Sequence, residues 1–92
     1  MVLRLPGSLR AHADGRSELS VEVADGACLG DLLDTVAATW PALERRIRDE
    51  RGTLRQYVNV YVGQTDARTE GGLAASLPAG AEVLVVPSVA GG

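Results

Sequence analysis

The 92-residue sequence predicts a single α+β domain, with a mixed sheet of four or five strands crossed by one main helix. Three observations carry this. Two alternating apolar stretches open the chain, one strongly amphipathic helical stretch follows, and further strands come after it, the last of them apolar on both faces. Taken together, these elements make a domain of the β-grasp type.

In "MVLRL" at 1–5, Leu3 and Leu5 fall on one face of a short strand that Pro6-Gly7 interrupts. In "SELSVEVA" at 17–24, Leu19, Val21 and Val23 alternate with Ser20 and Glu22, and "DGR" at 14–16 supplies a hairpin turn before it. The first two strands are therefore expected to be antiparallel neighbours. From Cys28 to Pro41, Leu29, Leu32, Leu33, Val36, Ala37 and Trp40 form one stripe at helical spacing. Pro41 ends this helix or opens a second short one in "PALERRIR", where Leu43 and Ile47 are four apart, and Gly52 breaks the pattern.

"YVNVYVG" at 57–63 is a strand with Val58, Val60 and Val62 on one face and Tyr57, Asn59 and Tyr61 on the other. A turn-rich stretch then holds a short edge strand near Ala67 and Arg68 and a helical turn at 73–76. The final strand, "EVLVVP" at 82–87, has the continuous apolarity of a central strand, covered on one side and partly on the other. The domain is thus expected to span 1–87, with residues 88–92 as a flexible tail launched from the middle of the sheet. Five residues extend roughly 17 Å at about 3.3 Å each.

Composition removes several functions. No apolar run reaches the roughly 20 residues of a membrane span, and no signal-peptide pattern opens the chain, so a cytoplasmic protein is expected. One cysteine, Cys28, and one histidine, His12, argue against a disulfide framework and a metal site. All nine positive charges are arginine, so a P-loop lysine and a Schiff-base lysine are both absent. The net charge of −3 argues against nucleic acid as a partner.

Few side chains suggest an active site. His12 lies in an expected turn, and Asp31 and Asp34 suit the first turns of a helix through its dipole. Cys28 stands where an N-cap is expected, with an acid three residues on, and reads as a half-buried structural residue. The arginines of "ERRIRDERGTLR" read first as a solvated helical face and next as a rim that meets an acidic protein. Tyr57 and Tyr61 mark either a binding surface or plain β-propensity.

What remains is the terminal carboxylate. A Gly-Gly end, Gly91 and Gly92, fits a channel too narrow for side chains. A free carboxylate is a poor electrophile, but as an acyl-adenylate it has a good leaving group, and a sulfur nucleophile then yields a thiocarboxylate. With no phosphate-binding loop in the chain, the ATP would be held by a partner.

Over "YVNVYVGQTDAR", "GGLAASLPAGAEVLVVP" and the closing "SVAGG", the chain resembles the ubiquitin-like sulfur carrier family, which includes ThiS, MoaD and CysO types. It resembles most of all the CysO type of cysteine biosynthesis. The resemblance implies a ubiquitin-like β-grasp fold and a protein co-substrate rather than an enzyme. It implies that Gly92 carries the thiocarboxylate and that Gly91 threads the channel, with Tyr57, Tyr61, Val89 and Ala90 as partner contacts. It further implies an E1-like adenylating enzyme that uses ATP, a pyridoxal-phosphate cysteine synthase, a zinc metallopeptidase that releases cysteine, and no cofactor bound to the carrier itself. A small subunit of molybdopterin synthase, or a carrier for thiamin or a secondary metabolite, is the alternative. Cys28 where relatives commonly have Thr, Gly63 and Ala67 in place of larger residues, and the lack of phenylalanine are the departures.

Overall fold

The computed structural model describes residues 1–87. Strand β1 (Val2–Arg4) is followed by a 3-10 segment at Gly7–Ala13, then β2 (Glu18–Ser20), helix α1 (Leu29–Thr39) and helix α2 (Pro41–Ile47). Strand β3 (Val58–Val62), the two-residue β4 (Thr65–Asp66), 3-10 turns at Ala67–Glu70 and Gly72–Ala74, and β5 (Glu82–Pro87) complete the order. The sheet runs β2-β1-β5-β3-β4. Strand β5 lies parallel to β1 and antiparallel to β3, and the two outer pairs are antiparallel. The expected mixed sheet with the last strand at its centre is the one observed.

The alternation in each strand decides which side chains enter the core. Leu3 of β1, Val58 and Val60 of β3, and Val83 and Val85 of β5 are buried. They share one cluster with Leu29, Leu32, Leu33 and Val36 of α1 and Leu43 and Ile47 of α2. The helical stripe read from the sequence is therefore the buried one, with Trp40 packed at its margin. The helices meet at Arg48, the one charged residue buried among those described. Its guanidinium reaches Asp34 of α1 at 2.9 Å and Glu44 of α2 at 3.0 Å. Glu44 is itself shielded while Asp34 is exposed, so the Arg48–Glu44 pair is the better insulated of the two.

Several boundaries differ from those expected. The connection between the first two strands is more than a hairpin turn: residues 7–13 coil into a 3-10 segment that buries Ala13. Asp14 (φ 53°) and Gly15 (φ 79°) then reverse the chain in the left-handed region, where Gly is unstrained and Asp is among the better-tolerated residues. The second strand was expected over 17–24 but is assigned only to Glu18–Ser20. Its pairing still continues one step, through Val21 N–H to the Met1 carbonyl at 2.8 Å. The edge strand falls at Thr65–Asp66, and Ala67 and Arg68 instead begin a 3-10 turn capped by the Asp66 carboxylate, which accepts from Arg68 N–H at 2.9 Å. The helical turn expected at 73–76 is the 3-10 turn Gly72–Ala74.

Candidate functional site

Two surfaces converge on the end of β5. The first is the outward face of the sheet. Register places Leu84 of β5 between Arg4 of β1 and Tyr61 of β3, and sets Val86 opposite Asn59. Leu84 is 37% exposed and Tyr61 and Val86 are half-buried. These residues make an apolar strip that the core does not absorb. Arg4 borders it and is held by Glu82 at 3.0 Å and Glu18 at 3.1 Å, so a cross-strand ion triad over three neighbouring strands lies flat beside Leu84. The hydrogen bonds and charge of Arg4 hold the Glu82 carboxyl below its ordinary range.

The second surface is a recess at the C-terminal end of β5. It encloses about 230 Å³ and is lined by Pro6, Leu9, His12, Tyr57, Val85 and Pro87 among others. Here the structure separates the two tyrosines. Tyr61 lies in β3 on the outer face, whereas Tyr57, expected in the same strand, sits in the turn before it, 52% exposed, at the mouth of this recess. Strand alternation could not show this, because the turn at 56–57 takes Tyr57 out of the ladder. Leu84 and Val86 are the residues that sequence reasoning left out of the candidate surface. Their signal was present in the double-faced apolarity of "EVLVVP". Gly91, Gly92, Val89 and Ala90 lie outside the described residues.

At the opposite side of the domain, Cys28 is the N-cap of α1 in extended conformation and is half-buried. Asp31 accepts from the Cys28 backbone N–H at 3.0 Å and from its thiol at 3.4 Å. The backbone bond first, and the thiol second, hold the Asp31 carboxyl below the ordinary range. The same loop is tied to the segment ahead of β5: Leu29 N–H donates to the Ala75 carbonyl at 2.9 Å and Leu77 N–H to the Ala27 carbonyl at 3.2 Å. Cys28 thus anchors a helix end.

Lowered carboxyl pKa values contribute stability above the unfolded value of about 4, and that contribution is lost as pH falls through the folded values. Asp31→Asn is therefore expected to narrow the difference in urea midpoint between about pH 7 and about pH 3. An unchanged difference would show that the Asp31 contacts do not form in solution.

Among the described residues, no group of three or more His, Cys, Asp and Glu is placed to hold a metal, and no helix is long and apolar enough to cross a membrane. The geometry presents a scaffold with an apolar strip and a recess at the root of residues 88–92. The ThiS family model matches residues 3–92, which is nearly the whole chain and includes both glycines at its end. The chain belongs to the ThiS family.

Within that family, the chain is 34% identical to the sulfur carrier protein CysO of Mycobacterium tuberculosis, an alignment that covers 100% of this chain and 98% of the relative. It is 33% identical to small archaeal modifier protein 1 of Haloferax volcanii over 89% of this chain and 90% of the relative. Among solved structures, that of Mycobacterium tuberculosis CysO superposes with a TM-score of 0.85 at 31% identity, covering 96% of this chain and 98% of that one. A CysO crystallised with BexX, from Amycolatopsis orientalis, gives 0.86 at 31% identity, over 99% and 98%. The ThiS-family fold is the ubiquitin-like β-grasp, and the relatives are small carriers and modifiers rather than enzymes.

Proposed function

We propose that this ThiS-family chain is a sulfur carrier whose Gly92 carboxylate is the reacting group, serving cysteine biosynthesis. The observation that carries the proposal is the match to the sulfur carrier CysO along the full chain, with Gly91 and Gly92 within the family match. The fold adds support: β5, which leads into residues 88–92, is paired with β1 on one side and, up to Pro87, with β3 on the other.

In this reading the carboxylate oxygen attacks the α-phosphorus of ATP held by an E1-like enzyme, and pyrophosphate leaves. A sulfur nucleophile then adds to the acyl carbon, AMP departs with the electrons of the broken C–O bond, and a thiocarboxylate remains. Its nucleophilic sulfur is consumed at a pyridoxal-phosphate cysteine synthase, and a zinc metallopeptidase releases the cysteine made on the carrier. The carrier contributes reach, narrowness at Gly91-Gly92, and a docking face made by Tyr61, Leu84 and Val86, with Tyr57, Val89 and Ala90 as further contacts. The complex of a related CysO with BexX supports recognition by a separate protein.

The test is intact-protein mass spectrometry after incubation with the activating enzyme, ATP and a sulfide source. The expected product carries one sulfur in place of one oxygen at Gly92, and an unchanged mass with an active enzyme would refute the proposal. The likeness to small archaeal modifier protein 1 favours a second reading, as a modifier of other proteins. That reading predicts covalent adducts of the whole chain in the same spectra.

A further inference from the structure

Three arginines surround the point where the sheet gives way to residues 88–92. Pro87, the last residue of β5, pairs with Val58, whose N–H donates to the Arg55 carbonyl at 3.1 Å. The Arg68 guanidinium donates to that same carbonyl at 2.7 Å and to Asn59 Oδ1 at 2.8 Å. Asn59 is paired with Val86, so Arg68 covers the stretch of β3 that the two-residue β4 leaves open. Arg55 lays its Nε on the Arg45 carbonyl at 2.7 Å, and the exposed Arg46 lines the recess together with Tyr57 and Pro87.

These guanidinium groups are charge-rich and underpaired. Among the described residues, the ion pairs are made by Arg4 and Arg48 and by none of these three. The nearby acids have other tasks: Asp49 binds the Thr53 and Arg51 N–H groups and only feels the Arg55 charge, and Asp66 caps the Arg68 backbone N–H. The chain as a whole is acidic at −3, yet Asp25 and Glu82 border a groove at the other end of β5. Three guanidinium groups without an ion pair among the described residues thus lie beside the start of residues 88–92.

Tether length decides what must face it. Residues 88–92 reach about 17 Å at most when fully extended. If Gly92 enters a partner's active site, the mouth of that site must lie against the ring around Pro87. A neutral or basic mouth would strip water from the guanidinium groups and return nothing, whereas carboxylates would take them in bidentate pairs. We propose that Arg46, Arg55 and Arg68 form an electrostatic collar that docks on a rim of Asp and Glu carboxylates around the channel of the activating enzyme. The inference rests on the sulfur-carrier reading and assigns the chemistry of its partner.

The experiment uses the full chain and the activating enzyme in an ATP–pyrophosphate exchange assay at increasing NaCl. Arg46→Glu is expected to raise the KM for the carrier about fivefold, and the triple change R46Q/R55Q/R68Q about tenfold or more, with kcat within about twofold of wild type. The triple variant should also flatten the rise of KM with salt. The Arg46 guanidinium makes no hydrogen bond among the described residues, so the single variant reads docking without disturbing the fold. A wild-type KM and salt dependence in both variants, or a lower KM for Arg46→Glu, would overturn the collar while leaving the sulfur-carrier reading intact. Absence of exchange with the wild-type chain would overturn both.

Discussion

Deletion of Gly92 is expected to reduce thiocarboxylate formation by more than about 100-fold while leaving the thermal unfolding midpoint unchanged. The loss follows from geometry, since removing one residue withdraws the carboxylate by about 3.3 Å, and misplacement of a reacting group by about 1 Å already costs roughly 100-fold. Stability should not change, because the core among the described residues runs from Leu3 to Val85 and Gly92 has no side chain to bury. Appending an alanine after Gly92 should do equal harm, by moving the carboxylate away from its position and putting a side chain where the channel is narrow. Intact-mass measurement and pyrophosphate exchange report the loss, and calorimetry reports the fold. A truncated chain that is sulfurated at the wild-type rate would remove Gly92 from the mechanism.

Leu33→Ala is expected to cost about 3 kcal/mol of stability. Leu33 is fully buried in α1 amid the strand residues Val60, Val83 and Val85 of the same cluster. Its replacement leaves a void whose lining loses close-packed contacts on one side. For a domain of this size the melting temperature should fall by roughly 15 °C. Calorimetry or urea unfolding provides the check, and a change under about 1 kcal/mol would mean that the core collapses around the gap. On the proposed reading such a variant should still be sulfurated below its melting point, because the proposed reacting residues follow Val85, the last core residue among those described.

Much of this domain could be read from periodicity. Leu29, Leu32, Leu33 and Val36 recur at the spacing of one helical face, and the double-faced apolarity of "EVLVVP" marked β5 as central. The 3-10 segment Gly7–Ala13 was hidden because its only strongly buried residue, Ala13, is too small to stand out in a hydrophobic pattern. Tyr57 was misplaced for a related reason: alternation continues through "YVNVYV", and only the turn at 56–57, set by the packing of neighbouring elements, breaks it. The arginine collar was the hardest to see. Arg46, Arg55 and Arg68 are spread over 23 positions and come together because Arg68 folds back onto the start of β3 while Arg55 reaches the end of α2, and charged side chains carry no period that announces such an assembly. Gly91 and Gly92 lie outside the described residues, and the role proposed for them rests on chemistry rather than on a folding pattern.

The parallel pairing of β1 with β5 brings Val2 against Glu82. Without β5 the sheet is left with two separate pairings, β1 with β2 and β3 with β4, and two-stranded units of this kind are marginal on their own. A chain cut short by proteolysis or interrupted synthesis before β5 therefore lacks both the central strand of its sheet and the residues proposed to carry the chemistry. The strand that completes the sheet is also the one that leads to Gly91 and Gly92, so its loss removes the fold and the proposed reacting group together.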